Sequence, residues 1–176
     1  MVYCGVADSL GPGRDIPEAD WRRITKLIPI ACVDVLPVLR NLTGAIASVG
    51  LIQRPLEERL VWTHVGGRVG IGETLVDGAR RHLRENLGAE GDLHQIPFFV
   101  NQYFQDRRAG FGWDPNKHAI AVCYVSDFDP AVKIVCNGEA QQFHWFGPEE
   151  LPRPDEFWPG AYEMVRQLLM ETGTDS

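Results

Sequence analysis

The sequence lacks a long hydrophobic run, an excess of positive charge and any repeated or low-complexity tract. Its most apolar stretch, Leu27 to Leu39, is interrupted by Asp34 and Pro37, so it falls short of the ~18 apolar residues of a membrane helix. The formal net charge is −7, which excludes a general attraction to nucleic acid or anionic membranes. We therefore expect no membrane partner and no nucleic-acid partner.

Cysteine is scarce and is never spaced as a metal-binding pair. The four cysteines are Cys4, Cys32, Cys123 and Cys136. No two of them form a C-x-x-C motif and two lie in apolar runs, so we interpret them as free thiols rather than zinc ligands or disulfides. Residues 1–13 also lack the basic start and apolar run of a signal peptide. These absences favour a cytoplasmic protein.

The length and composition are those of a single globular domain. The chain has 176 residues, of which 44% are hydrophobic and 23% are charged, and a chain of this size usually forms one compact core. Gly-Pro-Gly punctuation near the N-terminus predicts a loose tail over residues 1–15. The remaining residues, 16–172, are expected to form the domain.

Hydrophobic periodicity predicts an α+β fold. The predicted strands are 28–38, 45–52, 59–65, 96–104, 118–125, 132–136 and 141–146. The predicted helices are 16–26, 73–87 and 161–170, with Gly88 as a left-handed cap of the second. Pro37 is interpreted as the end of the first strand, and Gln53-Arg54-Pro55 as a turn. Because no helices separate the later strands, their order favours a mixed sheet.

A glycine-rich loop lies between the strand that is predicted to end at Val65 and the helix that follows. Its glycines are Gly66, Gly67, Gly70 and Gly72. Glycine has no Cβ atom, so such a loop can turn tightly and bring backbone amides and carbonyls against a ligand. We expect the loop to help hold a phosphate group or a cation.

One face of the following helix carries side chains that can bind a metal ion. His82, Glu85 and Asn86 lie together at about 100° per residue, and Arg81 lies beside Glu85, from where it can also reach Glu73. Mg²⁺ is usually held by one or two carboxylates together with water and substrate phosphates. The face is therefore a candidate site for such an ion.

Together, the loop and helix resemble the Nudix box of the Nudix hydrolases, whose pattern is G-x5-E-x7-R-E-U-x-E-E-x-G-U with U aliphatic. The residues that carry the match, all at the expected spacing, are Gly67, Glu73, Arg81, Leu83, Glu85, Gly88 and Ala89. Two carboxylates of the pattern are absent, because His82 and Asn86 stand in their places. The box is therefore degenerate.

A wider similarity covers most of the chain. Segments 20–25, 29–38, 62–69 and 73–75 resemble the corresponding parts of the GDP-mannose mannosyl hydrolases, an atypical Nudix group that also has an incomplete box. Downstream, Glu139 falls on the position of a distant metal ligand or general base in Nudix enzymes. Those mannosyl hydrolases have a histidine next to this ligand, whereas this chain has Ala140.

The resemblance implies a Nudix-like α/β/α sandwich with a mixed β-sheet. It implies hydrolysis of a nucleoside diphosphate linked to another moiety, with a nucleotide sugar as the expected substrate and Mg²⁺ or Mn²⁺ as the cofactor. In such chemistry the ion neutralises diphosphate oxygens, lowers the pKa of water and aligns an in-line attack. Since Nudix relatives are commonly dimers, the resemblance also implies a homodimer.

Each box residue acquires an expected role from the resemblance. The metal-ligand positions fall on Gly67 (through its carbonyl), Glu85, Asn86 and Glu139. The catalytic positions fall on Glu85, Glu139 and His82. Glu73 and Arg81 would form a structural ion pair that braces the loop.

The segment from Gln105 to Pro115 is a second candidate ligand contact. It carries Arg107, Arg108, Phe111 and Trp113 among glycines. Arginine binds phosphate through two N–H groups and aromatic rings stack on bases or sugars, so we expect these four side chains to contact a nucleotide substrate. The alternative is a hairpin connection with a solvated charge pair.

The degenerate box leaves two functional hypotheses open. In the first, the protein is a Nudix hydrolase with a weakened metal site, because His82 and Asn86 offer only neutral groups. In the second, it binds a nucleotide or nucleotide sugar as a sensor without cleaving it. A structural interpretation also remains for single residues: Glu85 as a solvated helix carboxylate, Asn86 as a helix cap and Glu139 as an exposed loop residue. The acidic net charge disfavours a role in RNA processing.

Overall fold

The computed structural model describes residues 16–171, which fold as one mixed β-sheet with α-helices on both faces. The helices are α1 (Glu18–Leu27), α2 (Leu75–Leu87) and α3 (Ala161–Glu171). The strands are β1 (Ile30–Arg40), β2 (Ile46–Leu56), β3 (Arg59–Thr63), β4 (Val65–Arg68), β5 (Asp92–Leu93), β6 (Phe99–Phe104), β7 (Gly112–Trp113), β8 (Ala119–Asp127) and β9 (Gln142–Phe146). The tail predicted over residues 1–15 lies outside the described residues.

Strand β1 is the centre of the sheet. The strand order is β3-β2-β1-β8-β6-β7, with β4 paired to β1, β5 to β8 and β9 to β2. β1 runs parallel to β8, from Ile30 opposite Ala119 to Val38 opposite Asp127, and antiparallel to β2 and β4. The predicted α+β class, a mixed sheet between helices, is confirmed.

The side chains of β1 divide the core between the two faces of the sheet. Cys32 and Leu36 belong to a buried cluster that also contains Phe157 and residues of α3. Val33 and Val35 belong to a second cluster that contains the apolar face of α2. Successive residues of a strand point to opposite faces, and both faces of β1 are covered. This double burial explains why β1 is almost continuously apolar instead of alternating.

Helix α2 begins and ends at residues whose chemistry favours those boundaries. The Thr74 side chain accepts a hydrogen bond of 3.1 Å from the backbone N–H of Asp77, so the helix begins at Leu75 rather than at the predicted Glu73. At the other end Gly88 has φ 62°, the left-handed conformation that glycine adopts without a steric penalty. The predicted glycine cap is confirmed.

The predicted strand at 132–136 is wrong. Its alternate side chains do pack against the α2 cluster, as a period of two suggests. However, the Val135 N–H donates to the carbonyl of Leu87 at the end of α2 (2.9 Å), and the segment pairs with no strand within residues 16–171. The last carbonyls of a helix have no partner within the helix. The segment 132–136 supplies a partner for one of them at the end of α2.

Two boundaries near the turn between β2 and β3 also differ from the prediction. Gln53-Arg54-Pro55, interpreted from the sequence as a turn, belongs to β2. The chain turns instead after Leu56, and Glu57 there has φ 54°. The strand predicted over 59–65 divides at His64 into β3 and β4, which pair with β2 and β1 respectively.

Pro37 does not end β1, which continues to Arg40. On one side of β1, the ladder with β4 ends at Val35 and the ladder with β2 starts at Val38. Pro37 lies in the gap between these two ladders. Since proline has no backbone N–H to donate, such a gap tolerates it where a continuous ladder would not.

The structure bears on two expectations: that the cysteines are free thiols and that the chain has no membrane-spanning helix. Cys32 and Cys123 are buried free thiols and Cys136 is a partly exposed one, whereas Cys4 lies outside the described residues. Burial raises the pKa of the Cys32 thiol to about 12, which makes it a poor nucleophile. Within residues 16–171, no helix is both long and apolar enough to cross a membrane.

Leu83 provides a test of the contact between α2 and the sheet. Its side chain is fully buried in the α2 cluster, so Leu83→Ala removes apolar contacts and leaves a cavity. We expect the free energy of unfolding to fall by about 2–5 kcal/mol, measured by urea denaturation. The control is Leu75→Ala on the same helix, whose side chain is 37% exposed; its effect should stay within about 0.5 kcal/mol. Equal effects of the two substitutions would contradict this packing of α2.

Candidate active site

A buried ion pair joins the glycine-rich loop to helix α2. The Arg81 guanidinium contacts both carboxylate oxygens of Glu73, with Nε–Oε1 and Nη2–Oε2 distances of 2.8 Å. The Gly70 N–H donates to Oε2 of Glu73 (2.8 Å), and Nη2 of Arg81 donates to the Arg68 carbonyl (2.9 Å). Bidentate pairing restrains distance and orientation together. The loop is therefore fixed against the first turns of α2.

His82 packs beneath Gly67 as a neutral imidazole. Its Nε2 lies 3.1 Å from the Arg68 carbonyl, and burial together with the charge of Arg81 lowers its pKa. The neutral ring therefore carries its proton on Nε2, and this N–H donates a hydrogen bond to that carbonyl. A Cβ atom on Gly67 would lie 2.7 Å from Cε1 of His82. Only glycine allows the ring to approach the loop backbone so closely.

Glu85 is the exposed carboxylate of the site. Its side chain is 44% exposed, and its Oε2 lies 3.0 Å from Nη1 of Arg81. The same oxygen is 3.9 Å from Nδ1 of His82. Arg81 therefore holds Glu85 beside the loop, while much of the carboxylate still faces solvent and is open to a ligand.

Asn86 connects α2 to the loop before β9. It is buried, its Nδ2 donates to the His82 carbonyl (2.9 Å), and its Oδ1 accepts from the Glu139 N–H (3.3 Å). The Glu139 carboxylate, which is 46% exposed, contacts Nη2 of Arg54 at 2.6 Å. The side-chain amide of Asn86 thus positions Glu139 next to the helix. Both its nitrogen and its oxygen already form hydrogen bonds within the protein.

These positions allow a test of whether the site suits a divalent cation. Within residues 16–171, no three His, Cys, Asp or Glu side chains converge as a ready metal-binding group. Two partly exposed carboxylates, Glu85 and Glu139, are nevertheless close enough to His82 for both to oppose the lowering of its pKa by burial. Two carboxylates with a backbone carbonyl such as that of Gly67 fit one Mg²⁺ that is completed by water and phosphate. The donor set does not suit a cluster of several ions.

A polar cavity of about 40 Å³ opens next to the loop, on the face of the sheet opposite α2. Asp34, His64 and Tyr103 line its interior, and Gly66 forms part of its wall. A Cβ atom on Gly66 would lie 2.6 Å from Oδ1 of Asp34, so glycine is needed for the loop to meet this carboxyl. The cavity can hold a few water molecules and is too small for a nucleobase.

Burial favours the neutral forms of both Asp34 and His64. Burial raises the pKa of Asp34 from 3.8 to about 7 and lowers the pKa of His64 from 6.5 to about 3. Their Oδ2 and Nε2 atoms are 3.2 Å apart, yet Nε2 is hydrogen-bonded to the Tyr103 hydroxyl at 3.0 Å. Oδ2 of Asp34 and Nδ1 of His64 have no hydrogen-bond partner among the described residues. Such orphaned buried atoms point to a polar ligand or water in the cavity.

Cationic groups stand near the cavity. Lys117 forms an ion pair with the buried Asp114, with an Nζ–Oδ2 distance of 2.8 Å. Arg54 lies over the Trp158 ring, 4.8 Å from its centroid, and also contacts Glu139. Arg54 therefore connects the lining of the cavity to the loop that carries Glu139.

This cavity was not predicted from the sequence. Asp34 interrupts the most apolar run of the chain, and that interruption is the signal that could have indicated a special role. His64, Tyr103 and Lys117 meet Asp34 only because β4, β6 and β8 are brought together by long-range pairing. Nothing in the local sequence around these three residues indicates that they share a site.

The predicted ligand-binding residues of the 105–115 loop lie in different environments. Trp113 is buried, its indole N–H donates to the Gln105 carbonyl (3.1 Å), and the Arg107 guanidinium covers its ring at 3.8 Å. Arg108 lies over Phe104 at 4.2 Å, and Phe111, which is half exposed, packs edge-on against Phe104. The two arginines are therefore accessible to a ligand, whereas the Trp113 ring is covered.

Comparison with known proteins gives a family and a fold. The model of a family described as a domain of unknown function, DUF4916, matches residues 14–174. A search of curated proteins finds no match. Among solved structures, the chain is similar to a possible asymmetric diadenosine tetraphosphate hydrolase from Jonesia denitrificans, with a TM-score of 0.75 and 26% identity. That similarity covers 84% of this chain and 96% of the other.

Two more distant structures share the fold. A Nudix-family hydrolase from Clostridium perfringens has a TM-score of 0.63 at 15% identity, over 82% of this chain and 99% of that one. A bifunctional NMN adenylyltransferase/ADP ribose pyrophosphatase from Francisella tularensis, complexed with AMP and a manganese ion, has a TM-score of 0.59 at 18% identity. It is matched over 88% of this chain, which spans only 45% of that protein's length. The fold is therefore that of the Nudix hydrolases.

The neutral burial of Asp34 makes a testable contribution to stability. Because its folded-state pKa is raised from 3.8 to about 7, the native state holds this proton more tightly than the unfolded chain. Stability due to the protonated carboxyl is present at low pH and is lost as pH rises through this window. Asp34→Asn removes this loss of stability. The lowered pKa of His64, which makes stability rise with pH, is unchanged. We therefore expect the variant to gain stability relative to the wild type between about pH 4 and about pH 8.

Urea denaturation of both proteins across this pH range measures the difference. A suitable control is Asp92→Asn, which removes an exposed carboxylate of β5. A difference between Asp34→Asn and the wild type that stays constant with pH would contradict a raised pKa at Asp34.

Proposed function

Because the chain belongs to the DUF4916 family and has the Nudix fold, we propose that it is a metal-dependent hydrolase of a nucleoside diphosphate linked to another moiety. The observation that supports this most directly is the arrangement around Arg81. One guanidinium fixes the glycine-rich loop through Glu73 and places the exposed Glu85 beside that loop. A fixed loop backbone and a solvent-facing carboxylate are what a phosphate-bound cation requires.

In this proposal each residue has a separate task. Glu85, the Gly67 carbonyl and Glu139 hold one Mg²⁺ or Mn²⁺, and the bound ion supplies charge neutralisation and a more acidic water. Glu139 is also the candidate general base, since its carboxylate is 46% exposed and its backbone is held next to α2 by Asn86. The Francisella tularensis protein, which shares the fold, is complexed with a manganese ion, and this supports the choice of metal.

His82 and Asn86 act through position rather than charge. His82 donates to the Arg68 carbonyl and so holds the loop, and Asn86 holds the Glu139 backbone. Neither supplies the negative charge that the Nudix pattern has at its position. We therefore propose that these residues alone would hold the cation more weakly than a set with more carboxylates would.

The polar cavity is the proposed site for a single hydroxyl group of the substrate, since its volume of about 40 Å³ admits only groups of about the size of water. Asp34 and His64 offer buried atoms without a hydrogen-bond partner among the described residues. Such atoms suit one hydroxyl of a sugar. A nucleotide sugar is therefore our proposed substrate, supported also by the resemblance of the N-terminal half to the GDP-mannose mannosyl hydrolases. The Jonesia denitrificans and Francisella tularensis proteins add diadenosine tetraphosphate and ADP-ribose to the compounds to be tested.

We also propose a single domain over residues 16–172 and a cytoplasmic homodimer. The dimer is supported by resemblance to Nudix relatives, and the cytoplasm by the buried free thiols of Cys32 and Cys123. Sedimentation of the purified protein measures the oligomeric state.

The substitution Glu85→Gln tests the proposed metal site. It keeps the size of the side chain but removes the charge that would bind the cation, so turnover should fall by a factor on the order of 10² or more. Purified protein is incubated with nucleotide sugars, ADP-ribose and diadenosine tetraphosphate, with Mg²⁺, with Mn²⁺ and with a chelator. Phosphorus NMR identifies which bond breaks.

Glu163→Gln on α3 is the matched control, because that carboxylate is exposed and lies outside the site. It should leave turnover unchanged. Activity that persists in Glu85→Gln, or that is unaffected by the chelator, would remove the proposed metal site.

A sensor is the second candidate function, favoured by the occupied polar atoms of His82 and Asn86. In that case one compound of the panel raises the melting temperature and none is cleaved. Saturating ligand at about 100 times its Kd adds about 2.7 kcal/mol to stability, which thermal denaturation detects. Metal-dependent product formation at a substantial rate excludes the sensor.

A further inference from the structure

A second, larger groove lies at the end of α1. It has a volume of about 330 Å³ and is bounded by the α1–β1 connection on one side and by the end of β6 and the loop after it on the other. A volume above about 300 Å³ is in the range of small-molecule sites. The groove shares none of its lining residues with the polar cavity near Asp34.

Positive charge is concentrated on the walls of this groove. Lys26 and Arg108 both line it, against the single carboxylate of Asp106. Asp106 accepts a hydrogen bond from Nε of Arg108 (2.9 Å), and Lys26 forms no ion pair within residues 16–171. The Arg107 guanidinium stands on the same loop. In a protein of net charge −7, this local excess of cations favours an anionic ligand.

The Arg108 guanidinium is held in an orientation that suits phosphate. Its Cζ lies 4.2 Å from the centroid of the Phe104 ring, so the ring covers one face of the guanidinium. Its terminal nitrogens donate to no other group in the described part of the chain. N–H donors in the plane of a stacked guanidinium remain free to bind two phosphate oxygens.

Apolar surface adjoins these cations. Leu27 and Ile28 line the groove and are 70% and 56% exposed. Phe104 stacks on His118 at 4.5 Å with an angle of 24° between the rings. The buried Nε2 of His118 has no hydrogen-bond partner among the described residues. Exposed aliphatic surface, a polar atom without a partner and positive charge together match a nucleobase that carries a phosphate.

The groove and the glycine-rich loop contact the same end of β1. The Val69 N–H donates to the Ala31 carbonyl (3.1 Å), close to the α1–β1 connection that lines the groove. The Arg68 guanidinium lies over Trp21 of α1, 5.4 Å from the ring centroid. A ligand whose phosphates reach the loop can therefore extend towards the groove.

We infer that this groove binds a nucleotide moiety, with its phosphate on Arg108 and Lys26 and its base against Leu27 and Ile28. The inference rests on the proposed function in one respect: the bound nucleotide is the group linked to the diphosphate that the candidate active site would cleave. The substrate class then includes molecules with a nucleotide at each end of a phosphate chain. Binding of a free nucleoside monophosphate to the groove requires no catalysis.

Adenosine 5′-monophosphate is the probe for this site. Its binding to the full-length protein is followed by amide chemical shifts and by calorimetry, with adenosine and inorganic phosphate as the two partial ligands. We expect shifts in residues 25–29 and 104–108, and tighter binding than either partial ligand shows. The double substitution Arg108→Gln with Lys26→Gln should weaken binding about tenfold or more. The control is the double substitution Arg166→Gln with Lys133→Gln, which removes two exposed charges outside the groove. It should leave the affinity for adenosine 5′-monophosphate unchanged.

The outcomes separate this inference from the proposed function. Glu85→Gln should abolish turnover and leave binding of the monophosphate intact. Binding in the groove without cleavage of any compound upholds the inference and overturns the hydrolase. Shifts confined to the glycine-rich loop and α2, equal binding by the double variant, or no binding at millimolar ligand would each overturn the inference and leave the hydrolase standing.

Discussion

The bidentate contact between Arg81 and Glu73 is the interaction on which the rest of the candidate active site depends. Through it, one guanidinium holds the glycine-rich loop by a carboxylate, by the Arg68 carbonyl and indirectly by the Gly70 amide. The hydrogen bond to Glu73 is the main reason why the pKa of Arg81 is raised, so the guanidinium stays charged. The same guanidinium orients Glu85, and the loop and the exposed carboxylate are therefore positioned by one group.

Strand β1 relates the two polar regions of the protein to each other. Val33 faces α2 and lies opposite Gly67 in the β4 ladder, while the next residue, Asp34, points to the other face and into the cavity. The loop is thus bounded by α2 on one face of the sheet and by the cavity on the other. Arg54 makes a second connection, because it lines the cavity and contacts Glu139.

The sequence predicts what is local and misses what depends on partners far along the chain. The spacing of Glu73 and Arg81 is set by one loop and one helix, so their contact could be anticipated. The neutral pair of Asp34 and His64 could not, because it requires β4 to fold back on β1. The error at 132–136 has the same origin: a period of two identifies an extended segment but does not say whether its partner is a strand or the end of a helix. Roles that depend on metal or substrate stay predictions, since the fold positions the side chains without naming their ligand.

The neutral ring of His82 links the glycine-rich loop to the residues that pack around it. The His82 ring fills the space under Gly67 and donates a hydrogen bond to the Arg68 carbonyl. A carboxylate in its place would set a negative charge against that carbonyl and leave the space under Gly67 unfilled. Asn86 in turn holds the carbonyl of residue 82 and the Glu139 amide, so a substitution at either position alone meets neighbours that fit the present side chains. Positions 82 and 86 are therefore energetically coupled, and the effects of substitutions at the two on the free energy of unfolding should not add.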